Sequence, residues 1–242
     1  MRTDVLGVGF DDLTLEEAAA AGAALVEAGG FHYAVTPNPE FLLAAKHNPA
    51  FRQALLGADL VLADGVGVVY SAKILGRPLK GKVPGIDFAQ RLLAWMARHG
   101  KRLFLLGAKP GVKPPGRAAA TLKDAHPGLI VCGTHDGYFR EDGPVVEEIR
   151  AAAADVVFVC LGAPKQELWM VEHGPATGAH LMVGLGGSLD VFAGVVERAP
   201  EGFQRLGLEW LYRLAKEPKR IGRMAKLPLV LVQAAGARLR GK

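Results

Sequence analysis

The stretch Ala58-Asp59-Leu60-Val61-Leu62-Ala63-Asp64-Gly65-Val66-Gly67 decides how this chain folds. An apolar run broken only by Asp59 reads as a strand buried on both faces, which is the habit of a parallel sheet covered by helices. Asp64 then stands at the carboxyl end of that strand. In open α/β sheets ligands bind beyond the carboxyl ends of the strands. A carboxylate there, beside glycines that let a substrate approach the backbone, is placed to act as a general base. The competing reading makes Asp64 the N-cap of a helix that starts at Val66.

The pattern repeats outward from this stretch. Strands are expected at 5–10, 31–35, 102–106, 129–132, 156–161 and 180–184, alternating with helices. Thr14 and Glu17 form a capping box that opens a helix running to Ala28, and Gly29-Gly30 ends it. Helices follow at 40–46, 49–56, 66–75, 84–100, 115–125, 144–153 and 165–172. Strands alternating with helices predict an α/β fold, a Rossmann-like and mostly parallel sheet with helices on both faces. Residues 1–200 are expected to form this catalytic unit.

Composition changes toward the end. Of the 242 residues, 50% are hydrophobic and the net charge is +5. From Arg205 to Lys242 there are ten Lys or Arg and two acids, a local excess of +8 that leaves the rest at −3. Helices are expected at 207–215 and 219–236. Trp210 and Tyr212 sit there among Leu and basic residues, the mix of an interfacial amphipathic helix. Residues 201–242 therefore read as a basic helical appendage that meets an anionic membrane surface, against the alternative of a helix packed on the body with a solvated basic face. No nucleic-acid-binding signature is present. The longest apolar run, Leu227–Ala237, is 11 residues, short of the ~20 that span a bilayer. No secretion signal is seen, so a cytoplasmic location is expected, peripheral on the inner face of the membrane. The two cysteines, Cys132 and Cys160, read as buried structural thiols. No metal is expected, because no His or Cys cluster has ligand spacing.

Five strand ends carry polar or glycine-rich turns: 36–38, 64–67, 106–111, 162–167 and 184–188. A parallel sheet places all of them on one rim. The glycine turns at 107–111 and 184–188 are candidates for cradling phosphate. Neither completes a dinucleotide fingerprint, and there is no Walker P-loop. Taken alone, each polar residue has a plainer explanation. Asn38 suits a Pro-flanked turn, and Lys165-Gln166-Glu167 suits a capped, solvent-exposed helix start.

Taken together, in order, the segments resemble the WecG/TagA/CpsF family of bacterial glycosyltransferases. The matching pieces are Thr36-Pro-Asn38-Pro-Glu-Phe, Ala63-Asp64-Gly65-Val-Gly67, Val83-Pro-Gly85-Ile-Asp87, Gly137-Tyr138-Phe139 and Leu161-Gly162-Ala-Pro-Lys165-Gln166-Glu167. They continue with Gly184-Leu-Gly186-Gly187-Ser-Leu-Asp190, Arg198-Ala-Pro200 and Gly207-Leu-Glu209-Trp210-Leu-Tyr-Arg213. The resemblance implies an inverting, metal-independent transferase with no cofactor. It would move N-acetylmannosamine or a related sugar from a UDP donor to a polyprenyl-diphosphate-linked acceptor such as GlcNAc-diphospho-undecaprenol. It implies that Asp64 is the catalytic base and that Thr36, Asn38 and Gln166 line the pocket. Tyr138, Gly184, Gly186 and Asp190 fall around the nucleotide, and Arg213, Arg220 and Arg223 are basic residues of the appendage. The family often has Arg where this chain has Lys82, which supplies the charge without the bidentate fork. Self-association as a homo-oligomer is left open. Two other classes compete: a nicotinamide-dependent oxidoreductase on a Rossmann sheet, and a non-catalytic membrane-surface protein that uses the basic tail.

Overall fold

The computed structural model describes residues 2–108, 115–216, 222 and 226–240. Two strands, β1 (Arg2–Val5) and β2 (Val8–Asp11), pair as an antiparallel hairpin. Residues 5–10 were expected as one strand. They instead enclose a tight turn in which Leu6 has φ 56° and Gly7 φ 88°. Two consecutive positive φ values match the right-handed twist of a hairpin, and Leu at the first of them gives the sequence no turn signal.

The main sheet has six strands, all parallel, in the order β4-β3-β8-β7-β5-β6. They are β3 (His32–Val35), β4 (Leu60–Val61), β5 (Arg102–Gly107), β6 (Ile130–His135), β7 (Val156–Cys160) and β8 (Leu181–Gly184). The expected α/β architecture is thus observed. Period-2 alternation sorts the strand side chains onto two faces. Val35, Val61, Phe104, Leu106, Val157, Val159 and Met182 face one core, while Ala34, Leu60, Leu62, Leu103, Leu105, Phe158 and Val183 face the other.

Helices cover both faces. On the first lie α2 (Pro39–His47), α3 (Pro49–Leu56), α4 (Val66–Ile74), α7 (Asp142–Ala151) and α8 (Lys165–Thr177). On the second lie α1 (Leu15–Ala28), α5 (Gly85–His99), α6 (Pro115–Ala125) and the short α9 (Ser188–Phe192). The Thr14/Glu17 capping box forms as read, with both reciprocal hydrogen bonds present. Helix α5 ends at Gly100 in the left-handed conformation. Two five-residue helices, α9 and α10 (Glu201–Arg205), had not been anticipated.

The basic end of the chain contains α11 (Glu209–Lys216) and α12 (Lys226–Leu239). Helix α12 packs against α2 and α4, with Val230 and Ala234 fully buried in the first core. The Arg238 guanidinium donates to the Leu75 carbonyl at 3.1 Å, and the Lys46 ammonium donates to Gln233. The opposite side of α12 is apolar yet exposed at Leu229, Val232 and Leu239. No described helix is long and apolar enough to cross a membrane.

Strand order fixes where a ligand can sit. Strand β5 leaves through α6 to β6 on one side, and β7 leaves through α8, on the opposite face, to β8 on the other. Between β5 and β7 the connections diverge, which opens a crevice at their carboxyl ends. Gly107 closes its floor with φ 136°, where a Cβ would fall 2.5 Å from the Cys160 carbonyl oxygen. Only glycine fits that approach.

Candidate active site

A cleft of about 770 Å³ occupies this crevice. Its wall is built from four strand ends: Ala108 after β5, Gly137-Tyr138-Phe139 after β6, Cys160 to Gly162 and Lys165 after β7, and Gly186, Gly187 and Asp190 after β8. Tyr138 is 61% exposed and presents a ring on which a planar base can stack. Its backbone N–H donates to the Asp136 carboxylate at 2.8 Å, fixing the turn. The neighbouring Phe139 ring meets Trp169 edge-on at 6.3 Å and lies under the Lys165 ammonium, 4.7 Å from the ring centre. Lys165 brings positive charge to the wall and Asp190 negative charge. Burial pushes the Cys160 thiol up to about 12, so no thiolate is available in the cleft at neutral pH.

The cleft's inner wall is held by two buried polar residues. Gln166, 1% exposed, accepts from Gly162 N–H at 3.2 Å and Gly186 N–H at 3.0 Å through Oε1. Its Nε2 donates to Glu167 Oε1 at 2.6 Å. Glu167 is completely buried, and burial raises its carboxyl from 4.5 to about 7. The resemblance implies that Gln166 lines the pocket, and the plainer reading makes both residues a capped, solvent-exposed helix start. The structure corrects this, because the β8 loop folds over α8 and covers them. Gln166 stands behind the cleft wall, not on it. Gly184 lies beside it, where a Cβ would fall 2.9 Å from Gln166 Nε2.

The remaining predicted residues gather further along the same rim. Thr36, after β3, is buried and donates its hydroxyl to the Gly184 carbonyl at 3.0 Å, tying β3 to β8. Asn38 caps α2, its Oδ1 accepting from Glu40 N–H at 2.8 Å and Phe41 N–H at 3.3 Å. The amide nitrogen of that side chain, Nδ2, carries two N–H donors that the cap does not use. Asp64 follows β4, half-buried, with its backbone N–H donating to the Pro37 carbonyl at 3.1 Å. Gly65, and not Asp64, occupies the N-cap position of α4. Val83 N–H donates to the Ala63 carbonyl at 2.8 Å, which brings Lys82 to the same end of the rim. From β4 to β7 are three strand spacings, roughly 14 Å. Asp64 and the cleft therefore share one rim, with Asp64 at its β4 edge and the cleft reaching from β8 to β6.

Lys82 is engaged. Its ammonium donates to the Gln204 carbonyl at 2.8 Å and lies 3.5 Å from Glu209 of α11. Glu209 also accepts from Arg198 at 3.2 Å, and Arg198 pairs with Asp87 in a two-pronged contact. This ion network pins the start of the basic segment onto the body. Arg213 falls in α11, whereas Arg220 and Arg223 lie outside the described residues, as do residues 109–111 of the first glycine turn. Among the described residues no group of three His, Cys, Asp or Glu is placed to hold a metal ion. Cys132 and Cys160 are both unpaired. Cys160 is buried as expected, and Cys132 is only half-buried, its thiol donating to the Leu103 carbonyl at 3.2 Å.

Lys165, Phe139, Gly162 and Gly187 line the cleft without having been singled out as site residues. They did stand in the quoted motifs, and strand order was the missing information.

The glycosyl transferase WecG/TagA/CpsF family model matches residues 3–242. The chain belongs to the WecG/TagA/CpsF family of glycosyltransferases. The resemblance drawn from the ordered motifs is thereby borne out, and the oxidoreductase and adaptor readings fall away. A relative in Bacillus spizizenii, named N-acetylglucosaminyldiphosphoundecaprenol N-acetyl-beta-D-mannosaminyltransferase, is 39% identical over 81% of this chain and 76% of its own length. A protein of the same name in Staphylococcus aureus strain MW2 is 34% identical over 98% of this chain and 93% of its own. Every strand-end motif described above falls within the residues that the family model matches, 3–242.

Proposed function

We propose that this WecG/TagA/CpsF-family chain transfers N-acetylmannosamine from a UDP donor to GlcNAc-diphospho-undecaprenol. One observation carries the reading: a cleft suited to a nucleotide and an acceptor-side carboxylate lie on one sheet rim, in a chain that matches N-acetylmannosaminyltransferases over almost its full length.

The residues divide the work. The cleft takes the nucleoside diphosphate, with Tyr138 stacking on the base and Asp190 accepting from ribose hydroxyls. Lys165 and the α8 N-terminus face the diphosphate and stabilise the charge that builds on it as the glycosidic bond breaks. An extended donor then directs its sugar along the rim toward Thr36, Asn38 and Asp64. Asp64 takes the proton from the acceptor hydroxyl as that oxygen attacks the anomeric carbon. Attack from the side opposite UDP inverts the configuration. The scheme needs neither a metal nor a covalent intermediate, and activity that persists in excess chelator is its expected signature.

The acceptor is a lipid, so the enzyme is proposed to work as a peripheral protein on the cytoplasmic face of the membrane. The basic segment is the proposed contact. Its exposed Phe203, Leu206, Leu211, Leu229 and Val232 stand among Lys and Arg, as an interfacial surface requires. A panel of UDP-sugars offered with a short-chain lipid-diphosphate-GlcNAc, read by product mass, tests the assignment. A product heavier by one N-acetylhexosamine, formed from the UDP-N-acetylmannosamine donor, is expected. Transfer only of a different sugar would overturn the donor assignment, and no transfer from any donor would overturn the function.

A further inference from the structure

The Gln166 side chain bridges the β7–α8 and β8–α9 loops, accepting from Gly162 N–H and Gly186 N–H. Both glycines line the cleft, and both have positive φ, 78° and 54°. The loops are therefore held at their spacing by one carbonyl oxygen. That works only with the amide one way round. Turned over, Nε2 would place two N–H donors against two backbone N–H donors. The two backbone N–H groups thus favour Oε1 on the loop side. A second constraint comes from the other end of the amide, where Nε2 donates to Glu167 Oε1 at 2.6 Å.

We propose that Glu167 is a positioning residue for donor binding, which acts by fixing the orientation of the Gln166 amide and so the spacing of the two glycine loops. Stability does not explain a carboxylate at this place. Glu167 is fully buried and its Oε2 has no hydrogen-bond partner among the described residues. A hydrocarbon side chain of similar volume would fill the space without burying a carboxylate, at the cost of leaving Gln166 Nε2 without this acceptor. An acceptor is needed only if the Gln166 amide must be held. The inference rests on the reading of the cleft as the nucleoside diphosphate site.

The test uses the full-length protein with Glu167→Met, Glu167→Leu and Glu167→Gln, the first two both made so that a packing defect in one does not decide the result. UDP affinity is measured by calorimetry, and amide hydrogen exchange at Gly162 and Gly186 by NMR. Met and Leu should weaken UDP binding about tenfold and speed exchange at both glycines. Gln, whose carbonyl can accept the same bond, should restore affinity to within about threefold of the wild type. In a Gln166→Met background, Glu167→Met should add no further loss, because its effect runs through Gln166. Wild-type affinity and exchange in the Met and Leu variants, or additive losses in the double variant, would overturn the proposal. If the wild type itself fails to bind UDP, the reading of the cleft fails, while the exchange data still decide whether Glu167 holds the loops.

Discussion

Replacing Glu167 with Gln changes one atom and removes the ability to ionise at a site with no exposure. In the folded protein burial moves this carboxyl from 4.5 to about 7. Below pH 4.5 the group is protonated whether folded or unfolded, and its full contribution to stability is retained. Between pH 4.5 and 7 the unfolded chain ionises while the folded one keeps its proton, so stability falls as pH rises. Above pH 7 the loss is complete, about 3 kcal/mol at 1.36 kcal/mol per pKa unit. The Gln variant lacks this loss. Urea unfolding of both proteins at pH 5 and pH 8 isolates the effect, because every other titrating group cancels in the difference. The gap in stability, Gln minus wild type, should widen by about 2–3 kcal/mol from pH 5 to pH 8. For a chain of this length that corresponds to a melting-temperature gap that grows by roughly 4–12 °C. Equal pH slopes, or a gap that narrows as pH rises, would refute the argument that Glu167 is buried without a compensating charge.

Thr36→Val keeps the shape of a buried side chain but leaves the Gly184 carbonyl without its donor. It should lower stability by about 1–2 kcal/mol in thermal or urea unfolding. Glu209→Gln leaves Lys82 and Arg198 facing one another across the ion network. Residues 201–216 should then be cut faster in limited proteolysis, by about tenfold for a local loss near 1.4 kcal/mol. Leu229→Glu with Val232→Glu changes two exposed residues of α12. Melting should move little, since surface changes stay within about 0.5 kcal/mol each, while binding to anionic vesicles drops. These point changes test the membrane role more cleanly than truncation, which would uncover the core that Val230 and Ala234 fill.

Much of the fold was legible because its signals are local. Runs such as Val156–Cys160 are apolar throughout, and strands of that kind occur in sheets covered on both faces. The start of α1 was marked by Thr14 with Glu17, whereas Asn38, read as a turn residue, and Asn48 prove to be the N-caps of α2 and α3. The hairpin escaped notice because Leu6 takes a conformation usually left to Gly or Asn. Helices of five residues are too short to show a period, so α9 and α10 left no pattern.

Of the site, the chemistry-bearing residues could be read but not their arrangement. Asp64 looked equally like a helix cap, and only the backbone shows that Gly65 fills that place. Gln166 and Glu167 looked solvent-facing because their cover, the Gly186 loop, lies 20 residues away in sequence. Lys82 reaches a partner 127 residues on. Such contacts depend on the order β4-β3-β8-β7-β5-β6, which no local pattern encodes. The same order separates Asp64 from the cleft along the rim.

The central claim is that Asp64 deprotonates the acceptor while the nucleotide is held elsewhere on the rim. The direct measurement is transfer from UDP-N-acetylmannosamine to a short-chain lipid-diphosphate-GlcNAc by wild type and Asp64→Asn, with UDP affinity measured on both. The account predicts that kcat falls by about 10²–10⁴, the usual worth of a general base, while UDP affinity holds within about threefold. Turnover within about tenfold of the wild type, or a loss of UDP binding that matches the loss of rate, would contradict it.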